Sequence, residues 1–298
     1  MLWLLVSLSA AATCFWWFER KLLWNVITLA LQQIFHSCRA KEPIPLASAM
    51  GLLHSGMFGA FSPPSFTKES LDEAIRKKQL IIWSKLNLHS FDALLEIDSE
   101  NCLFSLTFAH KQGIICDCII HHELTLQHTK KLVNLFSEYR NVRLHSQFKW
   151  QKASLSNYYD AIIVSSTFCL TLSYWQLQEF LQVLLRSARI NCQVYIEVYA
   201  ASRWTEALVN YVRLSANAKL SWFLSIKCII HAVNAAGFEV LEMDNCTSDA
   251  LETAKCCLSN LKTLQKNEKL QQELEVKICA LEEFSLSAWS ILATKNDW

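Results

Sequence analysis

From Phe91 onward the sequence alternates short apolar runs with helix-patterned segments, and few architectures accept that rhythm. The runs are "DALLEI", "GIICDCII", "NVRLHSQF", "YDAIIVSS", "CQVYIEVYA", "FEVLEM" and "FSLSAWSILATK". Between them lie "CLFSLTFAHK", "ELTLQHTKKLVNLFSEY", "YWQLQEFLQVLLRSA", "SWFLSIKCIIHAVNAA" and the polar "NLKTLQKNEKLQQELEVKICALEE". Apolar runs of this length, set between helices, are strands of a parallel sheet covered on both faces. Seven of them, the last arriving after a long helix, predict a doubly wound, mostly parallel seven-stranded α/β sheet. Gly237 is placed to end a helix just before its strand. Ser70, with Glu73 three residues on, opens a helix ahead of the first strand through a capping box; Leu71, Ala74, Ile75, Ile81, Ile82 and Leu86 form its apolar side.

The first eighteen residues carry no charge and end at Glu19-Arg20-Lys21. As a helix they reach ~27 Å, close to a ~30 Å hydrocarbon core. Trp16 and Trp17 beside Arg20 and Lys21 have the composition of an interfacial belt. Residues 1–21 are therefore expected to be a membrane-anchor helix. A cleaved signal peptide using Ser9-Ala10-Ala11 and a buried helix are the rival readings. If Arg20, Lys21, Arg39 and Lys41 set orientation, the protein is single-pass with its main domain in the cytoplasm. Residues 22–69 read as a helical, linker and lid segment holding all four prolines and three of the five glycines. The remainder, 70–298, is the α/β domain.

A net charge of +1 lacks the electrostatic footprint of a nucleic-acid binder, so no nucleic-acid partner is expected. Twelve cysteines follow no short-spaced framework and read as small buried hydrophobes of a reducing compartment. The sequon Asn245-Cys246-Thr247 follows a strand and is weak evidence for glycosylation. Five glycines in the whole chain, against a typical ~7%, put any glycine-rich phosphate or cofactor loop at a disadvantage.

The order of elements resembles a class I S-adenosylmethionine-dependent methyltransferase, in the branch of cyclopropane-fatty-acid synthases and coclaurine-type N-methyltransferases. The resemblance runs from about Met57 to Lys295. "FGAFSPPSFTKESLDEAIRKKQ" is similar to the family's lid-and-helix entry, and "ALLEIDSENCLFSLTFAHKQG" to its first motif. "YDAIIVSSTFCLTLSYWQLQEFLQVLLRSARINCQVYIEVYA" is similar to the family's fourth strand, catalytic turn, helix and next strand. "YVRLSANAKLS", "CLSNLKTL" and the closing "FSLSAWSILATK" complete the likeness. The resemblance implies S-adenosylmethionine as cofactor, with Glu96, Asp98, Ser99, Glu100, Gln147 and Ser165 around it. Glu96 keeps the acid that closes the first strand. Asp98, Glu100 and Cys102 stand where the family has glycines, and side chains there are expected to narrow the cradle. In the catalytic turn the family's Phe-Glu-His is Phe168-Cys169-Leu170 here, and Glu197 stands where the next strand usually offers a histidine. Cys169 and Glu197 thus occupy the catalytic positions without the family's carboxylate–imidazole pair.

"CDCIIHH" (Cys116, Cys118, His121, His122) invites a metal reading, but the two cysteines share one strand face and His121 points the other way; no metal site is expected. Trp150, Trp175 and Trp204 are core candidates before they are pocket candidates. The expectation is a membrane-tethered methyltransferase-like protein with a degenerate cofactor loop and catalytic turn: a pseudoenzyme acting as a binding or scaffolding module, with a possible lipid or small hydrophobic ligand. The alternative is an active methyltransferase on a lipid or hydrophobic amine. No protein partner is implied.

Overall fold

The sheet follows from side-chain direction. In β1 (Ala93–Ile97), every residue is buried, and alternate side chains enter two different cores. Ala93, Leu95 and Ile97 face one core; Leu94 faces the other. A strand with no wet face has to sit inside a covered parallel sheet.

The computed structural model describes residues 71–97, 102–120, 123–135, 141–146, 156–164, 174–201, 224–263 and 286–296, with a few further residues between 271 and 282. In chain order these form α1 (Leu71–Leu86), β1, α2 (Leu103–Gln112), β2 (Ile115–Ile120), α3 (Glu123–Leu135), β3 (Val142–Ser146) and β4 (Tyr159–Val164). Then come α4 (Tyr174–Ser187), β5 (Ala188–Ala201), α5 (Ile226–Ala236), β6 (Phe238–Asn245), α6 (Thr247–Thr263) and β7 (Leu286–Lys295). The seven strands lie in the order β3-β2-β1-β4-β5-β7-β6, parallel except for β7, which runs antiparallel to both neighbours. Helices α4 and α5 cover one face through Leu177, Leu181, Leu184, Ile229, Ala232 and Val233. On the other face α1, α2 and α3 supply Ile82, Leu86, Phe104, Phe108 and Leu126.

The expected doubly wound sheet is present, with three differences of detail. β5 begins at Ala188, four residues before the apolar run at Cys192, because a register shift inserts Arg189–Cys192 against β4. Ile81 is 37% exposed, so it is not on the buried side of α1. A helix also starts earlier than the polar segment: α6 follows β6 after one residue. Asn245 Oδ1 accepts hydrogen bonds from the Thr247 amide (3.0 Å) and hydroxyl (2.6 Å), which starts that helix. The Asn245 side chain of the sequon is therefore engaged in the turn. Gly237 ends α5 at φ 106°, donating to the Asn234 and Val233 carbonyls, as expected.

Nine free cysteines fall among the described residues, six of them buried, including Cys116 and Cys118. No cluster able to hold a metal ion occurs among the described residues. Trp175 is 69% exposed, so it belongs to neither core nor pocket; Trp150 and Trp204 lie outside the described residues. No described helix is long and apolar enough to cross a membrane, and residues 1–21 and 22–69 lie outside the described residues.

Candidate functional site

In an open α/β sheet, ligands sit beyond the carboxyl ends of the strands where the order reverses. Here that point lies between β1 and β4, since β2 and β3 continue to one side and β5 to the other. The turn from β1 into α2 is therefore the place to look.

Its last residue, Cys102, has φ 48° and ψ 35°, the left-handed conformation for which a glycine is normally used. Its carbonyl accepts from the Leu106 amide (2.8 Å), launching α2. Its side chain is fully buried in the core cluster that holds Cys116, Cys118, Leu94 and Phe104, and its thiol hydrogen-bonds that of Cys118. The residues ahead of it that would complete the cradle, 98–101, lie outside the described residues. Burial pushes the thiols of Cys102, Cys116 and Cys118 upward, so they stay protonated.

Glu96 is the acid of that motif, and it is 3% exposed. Its Oε2 accepts from the Ser105 amide (2.9 Å) and from the Ser105 hydroxyl, with the Cys118 thiol at 3.9 Å. The carboxylate thus braces the first turn of α2 from below, where unpaired amides and the helix dipole favour a negative charge. Asp98, Ser99, Glu100, Gln147, Ser165 and Cys169 lie outside the described residues. Ser146, next to Gln147, closes β3 beside Ile120 of β2.

Glu197 lies on β5, on the face shared with Tyr195 and Tyr199, and is 3% exposed. Lys78 of α1, also buried, holds it: Nζ donates to Oε2 at 3.0 Å and lies 2.8 Å from Oε1. Oε1 is aligned with no hydrogen-bond donor, so its share of the pair is a charge contact. Burial raises the Glu197 carboxyl above the ordinary glutamate range, with the Lys78 charge opposing that shift. The ammonium occupies this carboxylate inside the fold, so the pair joins α1 to β5. The sequence carried the sign of Lys78: it sits on the stripe of Leu71, Ile75, Ile82 and Leu86, where a lysine needs a buried partner. Ser105 carried no such sign.

Strand order 3-2-1-4-5-7-6, a lone antiparallel seventh strand and an acid-braced left-handed turn after the first strand now stand together. This is the fold of the class I S-adenosylmethionine-dependent methyltransferases. A mycolic acid cyclopropane synthase, solved with S-adenosylhomocysteine, superimposes with a TM-score of 0.68 at 13% identity, over 82% of this chain and 93% of that one. A geranyl diphosphate C-methyltransferase from Streptomyces coelicolor A3(2), solved with Mg2+, geranyl diphosphate and S-adenosyl-L-homocysteine, gives 0.64 at 9%, over 85% and 100%. A [4+2]-cyclase gives 0.62 at 13%, over 84% and 93%. No protein-family model matches the sequence, and no curated protein sequence matches it either. At these identities the methyltransferase fold is what is shared.

Proposed function

We propose that this protein is a methyltransferase-fold binding module that takes up S-adenosylmethionine or its demethylated product without catalysing a proton-coupled transfer. The observation behind this reading is the Lys78–Glu197 ion pair. The acid at the position of the family's histidine is buried and held by Lys78, a structural partner inside the fold rather than a substrate. Support for cofactor binding comes from Cys102, whose backbone keeps the left-handed conformation a glycine would take ahead of the α2 N-terminus. Glu96 supports that turn from below. Asp98, Ser99 and Glu100 in the loop, with Gln147 and Ser165 on the next turns, are the proposed contacts. When bound, the cofactor supplies an electrophilic methyl group.

Residues 1–21 are proposed as a single-pass tether with the domain on the cytoplasmic side, which would hold the cradle beside a lipid or small hydrophobic ligand. The test uses the full chain with S-adenosylmethionine labelled in its methyl group. Lipid and hydrophobic-amine acceptors are offered in vesicles. Saturable micromolar binding with no labelled acceptor is the expected result. Labelled acceptor above the background of an empty-vesicle control would overturn it in favour of an active methyltransferase. Absence of binding at millimolar concentration would reduce the protein to a scaffold.

A further inference from the structure

The amino edge of the sheet, opposite the cradle, carries a surface that the proposed binding function does not use. Left-handed residues occur along it at Asn87, Gly113, Asn157, Asn191 and Gly237, all residue types that accept positive φ. Phe91 is the exception. It holds φ 73°, an outlying conformation for a bulky aromatic residue, and its side chain is 82% exposed. Inside the fold the ring lies near Gly113 at the entry to β2, and most of the residue stays in water. A strained backbone under an exposed aromatic residue points to a gain outside the fold.

Around Phe91 the edge is basic on its surface and acidic beneath. Asp117, almost wholly buried on β2, accepts from Arg143 Nη2 at 2.7 Å and from Tyr159 Oη at 3.1 Å, and sits 2.7 Å from His145 Nε2. Asp160 on β4 accepts from Arg189 Nη1 at 2.7 and 2.9 Å and from the Ala93 amide at 2.9 Å. The two guanidiniums, each about half exposed, both lie 5.9 Å from the ring of Tyr158. The carboxylates fix both arginines, and Arg143 Nη2 also donates to the Tyr158 hydroxyl at 3.2 Å. Ile190, at the start of β5, is 54% exposed. Phe91 and Arg189 are two strand spacings apart, roughly 10 Å, so one contact patch covers them.

We propose that this amino edge docks an acidic protein segment that sets an aliphatic side chain against Phe91 and its carboxylates against Arg143 and Arg189. A nucleic acid is the poorer match: the chain carries a net charge of only +1, and the exposed apolar Phe91 and Ile190 belong to this edge. The probe is a fluorescent peptide of alternating glutamate and leucine, titrated against the full chain. Glutamate–serine and lysine–leucine peptides and an RNA oligonucleotide serve as comparisons. Saturable binding of the glutamate–leucine peptide alone is expected, weakened about tenfold or more in Phe91→Asn and in Arg189→Ala. Phe91→Asn should melt no lower than the parent, because asparagine tolerates this backbone. It breaks no ion pair, so it decides the matter even if Arg189→Ala, which strips Asp160 of a partner, lowers stability. Equal binding of the glutamate–serine or lysine–leucine peptide, tighter binding of RNA, or unchanged binding in Phe91→Asn would each overturn the proposal.

Discussion

Glu96 and Glu197 are buried to the same degree on neighbouring parts of one sheet, yet they are satisfied in different ways. Glu96 is met by the neutral donors of Ser105 at the start of a helix, so its charge serves a local turn. Glu197 is met by the ammonium of Lys78, which arrives from a helix 119 residues away in sequence. The first arrangement can tolerate the loss of one donor. The second fixes two charges in a dry interior, where the loss of either leaves the other uncompensated. In this protein one acid braces the first turn of α2, and the other ties α1 to β5.

The widest separation between the two acids should come from Lys78→Met, which strands Glu197. It is expected to cost about 3–5 kcal/mol in denaturant unfolding. The double change Lys78→Met with Glu197→Leu should return to within about 1 kcal/mol of the parent or exceed it. A double variant as unstable as the single one would mean that the pair does more than balance itself. At the other acid, Ser105→Ala removes one donor and leaves the amide, with an expected cost of about 1–3 kcal/mol by the same measurement.

A pH series sharpens the contrast further. Because the folded Glu197 carboxyl is raised above its ordinary 4.5, the folded state binds this proton more tightly than the unfolded chain does. Stability from this group is therefore fullest at and below that ordinary value and declines as pH rises through the raised one. The parent, compared with the Lys78→Met, Glu197→Leu variant, should gain in melting temperature as pH is lowered through that window. An unchanged difference would contradict the assignment. The smallest effect belongs to Cys102→Gly. Relief of the left-handed strain, about 1 kcal/mol, opposes the loss of a buried thiol of similar worth, so the net change should stay within about 1 kcal/mol. A larger loss would show that the thiol contact with Cys118 matters more than the turn.

The sheet was legible because its signal is dense. Five consecutive buried residues in β1 and an equally continuous β4 leave no room for a half-wet strand. Gly237 was legible because a helix pattern stops at it. Helix α6 was not, since "TSDALETAKCCLSN" mixes hydroxyls, acids and cysteines and shows no clear apolar stripe. The burial of the Cys102 side chain was not legible, because sequence gives a residue type and not the direction of its Cβ. The role of Glu197 depended on a long-range partner, and pairing over 119 residues is a property of topology that no local pattern encodes.

The proposed function needs a cofactor cradle that works without a glycine at position 102, and one calorimetric experiment meets that claim directly: titration of S-adenosylhomocysteine into the full chain and into its Cys102→Gly variant. Micromolar binding by both, within about threefold of each other, is the predicted result. Binding that is absent from the parent at millimolar ligand and restored by the glycine would contradict it, because the side chain at 102 would then be what closes the site.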